Sequence, residues 1–388
     1  MLSPWETKSF PKINALGQVQ RVYPNTHCSG IGKSKGLQWV GANATHCKQP
    51  TEMDWYHFRN RLHNRTRGFA NSMDPSDEQA GAWTEAFDAG KFVRKSSEFR
   101  DHIETDGTFG VESGRYHLYV SYACPWAHRT LITRTLLGLE DHITFDVVDW
   151  RMNRDGSWSF NPEEEGATAD TVNGETSLEG VYNRAFAGWN EGRGIGTVPV
   201  LWDRQHSTIV NNESREIVRM FDTFSQAGLG NGVSLCPPEL RQEIDAMIDS
   251  NYESVNNGVY KSGFARTQSA YEEAVTALFA RLDALEAHLE GRDWLVGEGA
   301  GQLTEADICL FPTLARFDLV YVVHFKCNLR RIIDYPNLQA FVERMIDLPG
   351  IKETCNWHHM KAHYFWSHQN INTFRIIPLG PLEGAHTK

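Results

Sequence analysis

Cys124 is the residue whose neighbours point most directly to chemistry. It follows residues 115–122 (RYHLYVSY), which alternate apolar and polar and are rich in Tyr and Val, as a strand requires. It precedes residues 125–137 (PWAHRTLITRTLL), where Trp126, Leu131, Ile132, Leu136 and Leu137 fall at helical spacing behind a first-turn proline. A sulfur at that junction faces the unpaired N–H groups and positive end of a helix. Such a site stabilises the thiolate, taking a cysteine pKa from about 8.5 toward roughly 3.5 to 7.5. Ala127 stands where a C-x-x-C pair would carry its resolving cysteine, so the site is expected to form mixed disulfides and to need an external thiol. The remaining cysteines, at 28, 47, 236, 309, 327 and 355, read as structural.

Two further segments can serve that sulfur. Thr197-Val198-Pro199 opens a strand, and a cis bond before Pro199 would turn the backbone N–H and C=O of Val198 outward, to pair with a peptide-like ligand. Asn212-Glu213-Ser214 opens a helix, where Ser214 and the first amides can hold a carboxylate. Together with Cys124 these describe a site for a small anionic thiol peptide. The histidines at 358, 359, 363 and 368 include an i, i+4 pair, His359 and His363, but no H-E-x-x-H and no nearby carboxylate accompany it. Aromatic packing is the expected role, and no metal is expected. His128 and Arg129 follow the nucleophile on its helix, and whether either tunes the thiolate is left open.

These residues need a scaffold. Strands are expected over residues 115–122, 143–148, 198–203 and 207–211, with helices over 125–137 and from about 213 to 224. That order gives an α/β thioredoxin-like domain over residues 76–230. Residues 231–350 read as an all-α domain: Val275, Leu278, Phe279, Leu282, Leu285 and Leu289 share one helical face, and Thr304 with Asp307 forms a capping-box variant. Residues 351–388 form an aromatic tail, and residues 1–75 an extension.

The 388 residues are 40% hydrophobic and carry a net charge of −11, which gives enough apolar material for real cores and a field that repels phosphate backbones. Nucleic acid and membrane partners are not expected, and seven scattered cysteines suit a reducing compartment. Cytoplasmic residence is expected; residues 1–50 hold five lysines, one arginine and one acid, Glu6, an acid-poor bias shared with transit peptides that makes import into a chloroplast or mitochondrion the alternative.

Seven ordered blocks carry a family resemblance: RYHLYVSYACPWAHRT, TVPVLWD, IVNNES, VNNGVYKSGFA, LTEADI, FDLVYVVHFKCN and HYFWSHQNIN, spread over residues 99–381. They resemble the glutathionyl-hydroquinone reductases, or Xi class of glutathione transferases. The resemblance implies a glutathione transferase fold, homodimers, and glutathione as co-substrate. It implies that Cys124 attacks the sulfur of an S-glutathionyl-hydroquinone, that Trp158, Val198, Glu213 and Ser214 hold glutathione, and that the tail completes a hydroquinone pocket lined by Tyr260 and Tyr364. The alternatives are an omega-like thioltransferase or dehydroascorbate reductase, and a non-catalytic binding protein on the same fold.

Overall fold

The computed structural model describes residues 86–153, 155–191 and 196–385. The expected extension over residues 1–75 lies outside them. The described chain starts with a hairpin, β1 (Ala86–Asp88) and β2 (Lys91–Val93), turned at Ala89 and Gly90 with φ of 50° and 81°. Left-handed backbone at both turn positions is what a tight two-residue hairpin needs.

There follow β3 (Tyr116–Val120), α1 (Pro125–Leu136), β4 (Thr144–Val147), α2 (Leu178–Ala185), β5 (Val200–Asp203), β6 (Thr208–Asn211) and α3 (Ser214–Gln226). The sheet order is β4-β3-β5-β6, with β3 parallel to β4 and the other neighbours antiparallel. This is the mixed sheet of a thioredoxin-like domain. The alternation in β3 suggests one wet face, yet all five of its residues are buried. His117 tolerates this because its Nε2 lies 3.1 Å from Asp146 and its Nδ1 2.7 Å from the Thr144 hydroxyl. Helix α2 lies in a polar, Gly-rich stretch that shows no period. It starts because Ser177 accepts from the Gly180 amide, and its eight residues are too few to display a face.

The rest is helical: α4 (Arg241–Asn251), α5 (Gly258–Gly263), α6 (Gln268–His288), α7 (Glu305–Arg316), α8 (Pro336–Asp347) and α9 (Trp357–Ser367). Helix α1 packs between α3 and α7, so the element carrying Cys124 is wedged against both layers. Two π turns, Tyr252–Asn256 and Phe317–Tyr321, follow α4 and α7. Each closes with an i to i+5 bond, Asn257 N to Tyr252 O at 2.8 Å and Val322 N to Phe317 O at 3.0 Å.

Every residue of α7 is buried, which makes its start critical. Thr304 and Asp307 cap it reciprocally, and Asp307 also accepts the Leu295 amide at 2.9 Å. Burial raises the Asp307 carboxyl to about 7 against the pull of those donors. Replacing Asp307 by Ala strands the Leu295 and Thr304 amides and is expected to cost about 2–4 kcal/mol. Urea unfolding measures this, and an unchanged midpoint would contradict the capping account.

Candidate active site

The sulfur of Cys124 caps α1. The residue is extended (φ −77°, ψ 120°), its Sγ accepts the Ala127 amide at 3.5 Å, and the thiol donates to the Val198 carbonyl at 3.5 Å. The Val198-Pro199 bond is cis. The Val198 carbonyl faces the sulfur. Helix α2 holds this corner: the Tyr182 hydroxyl donates to Thr197 O at 2.8 Å and accepts from the Thr197 amide and the Asn212 amide group at 3.2 and 3.1 Å.

Cys124 is part-exposed, but protein surrounds its sulfur. Burial pushes the thiol above its ordinary pKa; the amides of Ala127 and Trp126 and the charges of Arg316 and Arg94 oppose that push. The helix-terminus donors are thus where the sequence places them, but the expected lowering of the pKa is not reached, because desolvation outweighs them.

Beside the sulfur opens a cavity of about 290 Å³ lined by Trp126, Val198, Pro199, Glu213, Ser214 and Tyr252 among others. Glu213 is the N-cap of α3, accepting the Arg215 amide at 3.3 Å and the Ser97 hydroxyl at 3.1 Å. A carboxylate, a hydroxyl and a helix N-terminus in one wall suit a ligand end bearing both an ammonium and a carboxylate group. Trp158 does not line this cavity. It is buried, stacked on His363 with ring centroids 5.0 Å apart.

On the other side of Trp126 lie the tyrosines. Tyr260 on α5 and Tyr364 on α9 share a hydrogen bond of 2.7 Å, and Tyr321 of the second π turn reaches Tyr364 at 3.2 Å. Burial holds all three phenols above their ordinary pKa, so they are protonated donors. The Trp126 ring stacks on Tyr260 with centroids 6.4 Å apart, joining the tyrosines to the cysteine loop.

Comparisons with known proteins give the family. A family model described as "Glutathione S-transferase, N-terminal domain" matches residues 123–223, and its C-terminal counterpart matches residues 268–344. Glutathionyl-hydroquinone reductase PcpF of Sphingobium chlorophenolicum is 47% identical over 309 residues, 78% of this chain and 95% of its own length. Glutathionyl-hydroquinone reductase YqjG of Escherichia coli is 48% identical, covering 75% of this chain and 89% of its own. This chain belongs to the glutathionyl-hydroquinone reductases of the Xi class. Its fold is that of glutathione transferase Xi from Phanerochaete chrysosporium (TM-score 0.72, 52% identity, 76% of this chain and 93% of that one). It matches equally the glutathione-bound structure of YqjG (TM-score 0.70, 47% identity, 74% and 94%).

Within this reductase fold, two groups missed by sequence reasoning lie near the Cys124 sulfur. Arg316, the buried last residue of α7, donates to the carbonyls of Tyr122 and Ala123 at 2.9 Å each, to Pro312 O at 2.8 Å and to His128 Nδ1 at 3.1 Å. That last contact fixes His128 as an acceptor at Nδ1 and a donor from Nε2 to the Thr354 hydroxyl at 2.7 Å. Burial and the neighbouring Arg316 hold His128 neutral, so it supplies no charge to the thiolate. Arg129 is spent on Ser214 Oγ (3.3 Å) and Cys309 O (2.9 Å). The second missed group is Arg94.

His359 and His363 do not converge on a common point: each meets a different carbonyl at 2.7 Å, His359 that of Glu165 and His363 that of Trp150. Among the described residues no His, Cys, Asp and Glu cluster is arranged to hold a metal.

Replacing Arg316 by Met strands the two carbonyls that aim Cys124 and is expected to cost on the order of 3 kcal/mol, with Lys recovering part of it. Chemical denaturation reads the loss; wild-type stability in the Met variant would show that the clamp is not structural.

Proposed function

We propose that the protein removes glutathione from S-glutathionyl-hydroquinones through a mixed disulfide on Cys124. The carrying observation is that one sulfur sits at a helix N-terminus between a cavity suited to a peptide's charged end and a pair of buried phenols. The names of PcpF and YqjG and the glutathione bound to the YqjG structure support the reading.

A thiolate does not displace an aromatic carbon from sulfur directly. The hydroquinone ring must first become a ketone tautomer, its sulfur-bearing carbon taking a proton. The Cys124 thiolate then attacks the glutathionyl sulfur, the carbon–sulfur bond breaks, and its electron pair flows back through the ring to the carbonyl oxygen. Protonation of that oxygen yields the hydroquinone. Tyr260 and Tyr364, protonated and hydrogen-bonded to one another, are the groups to donate to it. A second glutathione, attacking as thiolate, releases oxidised glutathione and restores the Cys124 thiolate. Val198, Glu213 and Ser214 hold the tripeptide; Trp158 stacks on His363, whose ring lies 5.3 Å from that of Tyr364.

A glutathione-fed disulfide turns over only where reduced glutathione is in excess, so cytoplasmic residence is part of the proposal. Homodimerisation belongs to it as well, and a solution mass of one chain would remove it.

Replacing Cys124 by Ser is expected to abolish turnover of a glutathionyl-hydroquinone while leaving glutathione affinity within about twofold. Replacing Tyr260 or Tyr364 by Phe is expected to lower kcat about 10²-fold with little change in KM for glutathione. Steady-state kinetics check both. Activity confined to a glutathionylated peptide would favour the omega-like alternative.

A further inference from the structure

Arg94 belongs to none of the assigned groups, yet it stands where charge matters. It follows β2 and separates the first cavity from a second of about 580 Å³ bounded by β2, α5 and α6. Its guanidinium carbon lies 4.7 Å from the ring centroid of Tyr260 and 4.8 Å from that of Trp126, and its Nε donates to Asn257 Oδ1 at 2.7 Å. Asn257 immediately follows the first π turn, so an irregularity of the backbone aims the tether.

Among the described residues, most other cations nearby have fixed partners, and Arg129, held by neutral groups, also lies over the Trp126 ring at 4.5 Å. Lys91 pairs with Glu273, Lys261 with Glu253 and Arg100 with Glu216, while Arg129 and Arg316 are held as described above. Lys95 is exposed. Among the described residues, Arg94 has a neutral amide and three ring faces, those of Phe92, Trp126 and Tyr260, as its partners, and no carboxylate is paired with it. A cation over an aromatic face is attracted by about 0.5–2 kcal/mol, and the attraction grows as the ring gains electron density. A phenol covered in this way is a better proton donor.

We propose that Arg94 is an electrostatic positioning residue of the reaction, its charge acting through the faces of Tyr260 and Trp126 to favour negative charge on the Cys124 sulfur and on the Tyr260 hydroxyl. The charged or titratable groups facing this site are Cys124 and Tyr260 themselves, Tyr252, Tyr321 and Tyr364, with Glu213, Glu253, Arg129 and Arg316 at the margins and Asp88, Lys91, Lys95, Glu98, Arg100, Lys261 and Glu273 on the cavity walls. Burial raises Cys124, Tyr252 and Tyr260 alike, and Arg94 pulls each of them back down. Arg316 acts in the same sense on Cys124 but is locked into four hydrogen bonds, whereas Arg94 borders both cavities and is part-exposed. The kinetic consequence rests on the reductase reading above; the effect on the sulfur does not.

The test is the pH dependence of Cys124 alkylation by iodoacetamide in the full chain, followed by peptide mapping, for wild type, Arg94→Lys and Arg94→Met. Loss of the charge is expected to move the alkylation inflection to higher pH and to slow labelling at pH 7 by about three- to tenfold, with Lys within about twofold of wild type. An identical profile in Arg94→Met overturns the proposal, whatever the reductase assay shows. Asn257→Leu, which removes the tether and keeps the charge, guards against misfolding of the Met variant. It is expected to shift the inflection the same way by a smaller amount, and no shift in either variant overturns the proposal. With a glutathionyl-hydroquinone as substrate, Arg94→Met is expected to lower kcat about tenfold at an unchanged KM for glutathione.

Discussion

A guanidinium buried among carbonyls sets the geometry on which the site depends. Arg316 has no access to solvent, and it repays that desolvation by donating to three backbone oxygens and one imidazole nitrogen. Two of those oxygens, on Tyr122 and Ala123, belong to the peptides immediately before Cys124. The helical layer thereby holds the turn at which the sheet passes into α1, and the sulfur stays aimed at the Val198 corner. A residue far along the chain, on a helix whose start depends on the Asp307 box, holds the backbone that carries Cys124.

The sulfur shows a balance rather than a single effect. Its helix-terminal amides and two arginines favour the anion, and the protein packed around it disfavours the anion more strongly. A thiol that donates to the Val198 carbonyl is the resting form this produces. The surrounding charges are therefore as much a part of the site as the cap, since each one that is lost leaves burial less opposed. The tyrosines follow the same rule: burial keeps Tyr260 and Tyr364 protonated, which is the state in which they can donate.

Much of this is legible in the residues themselves. The strands around Cys124, the helix behind it, the Thr304 cap and the α6 face all announce themselves by period or by capping chemistry. Val198, Glu213 and Ser214 come together at one cavity because strand starts and helix starts are local features. What escapes sequence reading is long-range or irregular. Arg94 lies before the first motif and acquires meaning only when it lands on Tyr260. Arg316 had a signal, a lone charge ending an apolar run, but its partners are some two hundred residues away. The two π turns that place Tyr321 and Asn257 leave no periodic trace, and α2 is too short to leave one. The desolvation of the Cys124 sulfur is invisible to any local reading, which is why its pKa direction differs from the expected one. Trp158 resembles a ligand contact by motif, and in the structure its ring stacks on His363.

The central claim is that Cys124 becomes covalently joined to glutathione during turnover. Intact-protein mass spectrometry after exposure to a glutathionyl-hydroquinone, without free glutathione, tests it most directly. The account predicts a gain of one glutathione, mapped to the Cys124 peptide and removed by added glutathione. Hydroquinone release with an unmodified Cys124, or an adduct confined to another cysteine, would contradict it.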